Sequence, residues 1–154
     1  MTATEKTARE LVAPGKGILA ADESTGTITK RLASVGVEST EETRRAYRQM
    51  LFTTEGIEAH ISGVILFDET IRQSADDGVR FPKLLADRGI IAGIKVDRGA
   101  KPLAGFPGEK VTEGLDGLRD RLAEYRGLGA RFAKWRAVIV IGDGMPTDTC
   151  LLSN

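Results

Sequence analysis

Lys16-Gly17-Ile18-Leu19-Ala20-Ala21-Asp22-Glu23-Ser24-Thr25-Gly26 is a short apolar run that ends abruptly in acidic and hydroxyl residues. Ile18 to Ala21, bounded by Gly-Lys-Gly and Ser-Thr-Gly, predicts a strand buried on both faces. Asp22 then stands at the strand end, where parallel α/β sheets and barrels place their chemistry. The alternative is that Asp22 only opens a turn and that Ser24 or Thr25 caps the next helix.

Three further runs have the same shape. Gly63-Val64-Ile65-Leu66-Phe67 closes on Asp68-Glu69-Thr70, and Ile90 to Val96 empties into Asp97-Arg98-Gly99. Phe132 to Ile141 leads into a Gly-Asp-Gly-Met-Pro turn and a short tail. Helical signals lie before and between them. Thr2 to Val12 reads as a lead-in helix with Ala8, Leu11 and Val12 on one side, stopped by Pro14-Gly15. A helix through Thr27 to Ser34 ends at Gly36. Ser39-Thr40-Glu41-Glu42 is a capping box that opens a helix reaching about Thr53. Its expected buried stripe is Ala46, Tyr47, Met50 and Leu51, with Arg44, Arg45 and Arg48 solvated. Pro82 starts a helix that Gly89 stops, and Leu115, Leu118, Leu122 and Tyr125 mark another before Gly127. Gly99 to Gly108 reads as a long loop. Strand then helix, four times over, predicts right-handed βαβ units and a parallel sheet. No repeat or linker divides the chain.

Composition narrows the function. The 154 residues carry 22 basic and 22 acidic side chains, so nothing points to a nucleic-acid or anionic-membrane partner. The polar start lacks a signal-peptide core, and no apolar run approaches a membrane span. One cysteine, Cys150, permits no internal disulfide and fits a reducing, cytoplasmic setting; without a histidine partner it reads as inert. His60 is the only histidine, which excludes His-rich zinc sites and Ser-His-Asp triads within the chain. No Walker loop or dinucleotide fingerprint is in place.

Charges inside the apolar runs carry the chemistry, because burying an unpaired charge is costly. Lys95 interrupts the third run, and Lys134 and Arg136 interrupt the fourth. Strand alternation puts Phe132, Lys134 and Arg136 on one face, and Lys95 with Asp97 on one face. Together with Asp22 they describe a polar cavity at the C-terminal ends of the strands. Solvent exposure on an edge strand is the competing explanation for Lys134 and Arg136. Two lysines and an arginine around a carboxylate suit an anionic substrate such as a sugar phosphate. A lysine desolvated beside other cations also suits amine or proton-transfer chemistry.

The stretch Gly15 to Gly26 resembles the opening strand of class I (Schiff-base) fructose-bisphosphate aldolases. The likeness continues through Arg44-Arg45-Ala46-Tyr47-Arg48-Gln49, Gly63 to Thr70, Gly93-Ile94-Lys95-Val96-Asp97-Arg98-Gly99 with Pro102 to Gly105, Gly114 to Leu118, and Phe132-Ala133-Lys134-Trp135-Arg136. The resemblance implies a (β/α)₈ TIM barrel, of which this chain holds the first four βα units. Residues 1–154 are then the N-terminal part of one barrel domain. It also implies reversible, metal-free and cofactor-free cleavage of fructose 1,6-bisphosphate in glycolysis, and a homo-oligomer, a tetramer by family. By motif, Asp22 resembles the carboxylate that manages a substrate hydroxyl proton. Lys95 resembles the lysine beside the reacting carbons, and Lys134 the one that assists proton transfer and charge stabilisation. Arg31 and Arg136 resemble phosphate ligands, Ser24 and Thr27 line the same region, and Arg44 is a further candidate. Asp68 and Arg98 stand where many relatives carry histidine and lysine. The family's Schiff-base lysine and general acid/base glutamate belong to later strands, and neither Lys95 nor Lys134 matches the Schiff-base motif. The expectation is a chain inactive alone. The other readings are a non-catalytic half-barrel interaction or regulatory module, and a different sugar-phosphate-binding barrel enzyme.

Overall fold

In the computed structural model, which describes residues 1–154, the four apolar runs pair as parallel neighbours in the order they occur along the chain. The elements are α1 (Ala3–Leu11), β1 (Gly17–Ala21), α2 (Thr25–Ala33), α3 (Glu41–Phe52), α4 (Ile57–His60), β2 (Ile61–Leu66) and α5 (Asp68–Ile71). They continue with α6 (Phe81–Asp87), β3 (Ile91–Lys95), β4 (Ala100–Pro102), β5 (Lys110–Thr112), α7 (Leu118–Gly127), β6 (Phe132–Lys134) and α8 (Asp148–Ser153). The main sheet runs β1-β2-β3-β6, the succession the sequence predicts.

The register gives the sheet two unlike faces. Ala21, Val64, Leu66, Ala92, Ile94 and Val96 turn toward the helices and form the core with Phe52, Phe81, Leu85 and Tyr125. Phe52 and Phe81 meet edge to face, centroids 5.2 Å apart and planes at 84°, which locks α3 against α6. Burying either ring contributes about 1.5–3 kcal/mol. On the other face Gly63 pairs with Ile91, Gly93 with Phe132, and Lys95 with Lys134. Phe132 lies flat across Gly93, where a Cβ would come within 2.3 Å of the ring. The missing side chain is what lets β6 approach.

Several expectations change. β1 is an edge strand, so Ile18 is 43% exposed and only its helix-facing side is dry. On α3 the cap is Thr40 with Thr43, and the buried positions are Arg48 and Phe52, while Met50 is 59% exposed. Lys134 ends β6, so the run to Ile141 is irregular. The stretch Gly99 to Gly108, expected as loop, holds β4, which pairs antiparallel with β5 just beyond it. The tail forms α8, which clamps that hairpin. Glu109 accepts from the Thr147 amide at 2.8 Å and hydroxyl at 2.6 Å, and the Asn154 side chain bonds the Thr112 amide and the Lys110 carbonyl. No helix is long and apolar enough to cross a membrane.

Candidate active site

An open cavity of about 740 Å³ lies past the C-terminal ends of the parallel strands. Asp22, Ser24, Thr27, Lys95, Lys134 and Arg136 all line it, so one site gathers six of the eight residues singled out in the sequence. The two others lie outside that lining. Arg31 hydrogen-bonds the Tyr47 hydroxyl at 2.9 Å and pairs with Glu23, and Arg44 holds Glu69 through two bonds of 2.8 and 2.5 Å. Glu23 does border the cavity, so Arg31 reaches its rim through that carboxylate.

Strand alternation produces the central geometry. Lys95 and Lys134 are cross-strand neighbours and therefore share a face, as the expected common cavity needs. Each is held by a different carboxylate. Lys134 Nζ donates to Asp22 Oδ2 at 2.5 Å. Lys95 Nζ donates to Asp97 Oδ1 at 2.7 Å and to the Asp97 carbonyl at 2.6 Å. Asp97 Oδ1 also accepts from the Gly99 amide at 3.2 Å, while the buried Oδ2 has no partner. The two lysines are thus neutralised pairwise. Arg98 and Arg136, which line the same cavity, make no ion pair. Unpaired guanidiniums facing a water-accessible hollow are the groups ready to take an anion.

The opposite wall is a network that the sequence reading did not foresee. Tyr125 Oη donates to Asp68 Oδ1 at 3.0 Å, and Arg72 reaches that same oxygen at 2.9 Å and Glu124 at 2.5 Å. Burial, reinforced by the Asp68 bond, pushes the Tyr125 phenol above its ordinary range. Glu124 first and Asp68 second hold the Arg72 guanidinium charged. Beneath the floor, Arg48 is 2% exposed rather than solvated. Burial lowers its proton affinity, against the opposing pull of Glu23. The spacing Arg44, Arg48, Phe52 is the signal for its position, since residues four apart share a helix face. Asp97 was legible through its two-residue step from Lys95. Arg121, which also lines the cavity, carried no local signal. No three His, Cys, Asp or Glu side chains gather as a metal-ligand set.

Lysines, carboxylates and arginines converging beyond the carboxyl ends of a parallel sheet define an α/β site of the barrel kind. A family model described as fructose-bisphosphate aldolase class-I matches residues 3–154, and the chain belongs to that family. It is 66% identical over 149 residues to a probable fructose-bisphosphate aldolase class 1 of Xanthomonas campestris, covering 97% of this chain and 45% of that one. Against fructose-bisphosphate aldolase C of Carassius auratus it is 57% identical over 148 residues, 96% of this chain and 41% of the relative. Among solved structures, the fructose-bisphosphate aldolase of Plasmodium falciparum, in complex with TRAP and a small-molecule inhibitor, superposes with a TM-score of 0.95. That match is at 50% identity and covers 98% of this chain and 44% of that one. The chain therefore spans a little under half the length of these relatives.

Proposed function

We propose that residues 1–154 supply the first four βα units of a class I fructose-bisphosphate aldolase barrel, and with them part of its active site. The substrate is fructose 1,6-bisphosphate, cleaved reversibly to dihydroxyacetone phosphate and glyceraldehyde 3-phosphate in a glycolytic, cytoplasmic setting. The observation that carries the reading is the meeting of Asp22, Lys95, Lys134 and Arg136 in one cavity at the strand ends. Arg136 binds a substrate phosphate, for which its unpaired fork is suited. Arg31 binds the other after exchanging Glu23 for phosphate, Ser24 and Thr27 line the same region, and Arg44 is a further ligand on the rim. Asp22 takes the proton of a substrate hydroxyl as the carbon–carbon bond opens. Lys134, which donates to Asp22, assists that proton transfer and stabilises the developing charge. Lys95, held by Asp97, stands beside the reacting carbons.

Neither lysine is the Schiff-base nucleophile. Neither matches the family's Schiff-base motif, and the Nζ of each is engaged by a carboxylate. The complete enzyme draws that lysine and a general acid/base glutamate from other strands and assembles as a homo-oligomer. The test is borohydride reduction of the 154-residue chain with dihydroxyacetone phosphate, followed by peptide mass spectrometry. No adduct on Lys95 or Lys134 and no turnover is the expected result; a stoichiometric adduct on either lysine overturns the assignment.

A further inference from the structure

Two arginines, Arg48 buried and Arg121 half-buried, brace the backbone beside the two lysine–carboxylate pairs in the same way. On α3, Arg48 Nε donates to the Ala21 carbonyl at 3.0 Å, and Nη2 to the Glu23 carbonyl at 3.0 Å. On α7, Arg121 Nη1 donates to the Val96 carbonyl at 3.0 Å, and Nη2 to the Gly114 carbonyl. Ala21 immediately precedes Asp22, the carboxylate on Lys134, and Val96 immediately precedes Asp97, the carboxylate on Lys95. In each case the guanidinium spans a strand end and the loop beyond it. Gly114 lets its loop come that close: its φ is +128°, and a Cβ there would stand 3.0 Å from the Arg98 amide nitrogen.

We infer that Arg48 and Arg121 are positioning residues, each fixing one carboxylate on its own lysine. The assignment rests on the cavity being the reacting site. The physical reason is donor geometry. A planar fork with fixed N–H directions sets the angle between two carbonyls, which a single ammonium on a flexible stem cannot do. A fixed carbonyl sets the next Cα, and that Cα aims the carboxylate. Because Arg48 acts on β1 and Arg121 on β3, the two controls are separate. Loss of either arginine frees one lysine and leaves the other held.

Competitive acylation with acetic anhydride, read by mass spectrometry on the intact 154-residue chain, tests this without any turnover. Only a neutral amine reacts, so a lysine that loses its carboxylate labels faster. In Arg48→Met, labelling of Lys134 rises by about three- to tenfold, the range that losing one hydrogen bond to a carboxylate gives, and Lys95 is unchanged. In Arg121→Met the pattern reverses. Arg48→Lys and Arg121→Lys keep the charge without the fork and give a smaller rise at the same lysine. A rise at both lysines together in the methionine variants marks general unpacking and overturns the proposal, as does no rise at either. The labelling pattern is independent of activity, so it stands or falls apart from the aldolase reading.

Discussion

Lys134 touches Asp22 at 2.5 Å although their strands, β6 and β1, are opposite edges of the sheet. Three spacings of about 4.8 Å would set those edges about 14 Å apart in a flat sheet. The contact exists because four twisted strands already curl toward closure. An ion pair, rather than another strand, bridges the open side.

Breaking that bridge has a readable effect. Asp22→Asn leaves a half-buried ammonium without its counter-charge and lowers stability by about 1–2 kcal/mol, between the values for exposed and buried pairs. Urea unfolding shows it as a lower midpoint with an unchanged slope. Lys134→Met on the same background adds less than it does alone, because the partners share one interaction. In the complete enzyme, either change lowers kcat by about 10²- to 10⁴-fold. An unmoved midpoint in Asp22→Asn excludes the bridge as a stabilising contact.

Gly93→Ala drives a methyl into the Phe132 ring, 2.3–2.5 Å from three of its carbons. The expected loss is about 1–3 kcal/mol, the usual cost of overpacking. Adding Phe132→Leu restores part of it. Thermal melts of the single and double variants decide the matter, and additive losses sink the explanation.

Acid releases the tail clamp. Hydrogen bonds from Thr147, its hydroxyl first, hold the Glu109 carboxyl below its ordinary value. A depressed carboxylate stabilises the fold above its unfolded pKa, near 4.3, and that contribution vanishes as pH falls through the lower folded value. Amide exchange at Thr147 and Cys150 accelerates through that window. Thr147→Ala removes the leading donor, so the acid transition moves up toward the ordinary value. A transition that stays put assigns the clamp to other contacts.

Tyr125 reports on the opposite wall. Its folded pKa is raised, so its contribution is complete below the unfolded value, near 10, and is lost as pH rises through the folded one. Asp68→Asn weakens the bond to the phenol and brings its ionisation down toward the ordinary range, visible as earlier absorbance near 295 nm. Burial remains the larger cause, so the shift shrinks without disappearing. An unchanged titration means the hydroxyl does not depend on Asp68.

The barrel came with the family resemblance; the four apolar runs and the same-face pairs Lys95 with Asp97 and Lys134 with Arg136 were legible because composition and side-chain alternation are local rules. The dryness of β1 was not, since whether Ile18 is covered depends on which strand lies beside it. Arg48 was misread for a related reason. A guanidinium is buried only where carbonyls wait for it, and Ala21 and Glu23 are 27 and 25 residues away in sequence. The hairpin of β4 and β5 escaped notice because three-residue strands give too few alternations to see. The tail helix α8 has six residues and takes its hold from Glu109, 38 positions earlier than Thr147.

The two-faced register also fixes how this sequence can change length. Along β3 the even positions Ala92, Ile94 and Val96 pack against the helices, and the odd positions Gly93, Lys95 and Asp97 face the other way. Substitutions can therefore alter packing and chemistry on separate sets of residues. A single-residue insertion or deletion inside the strand cannot, because it exchanges the two sets downstream and turns lysine and aspartate into the oil. Length variation among descendants of this sequence should fall in the connections, or come in twos.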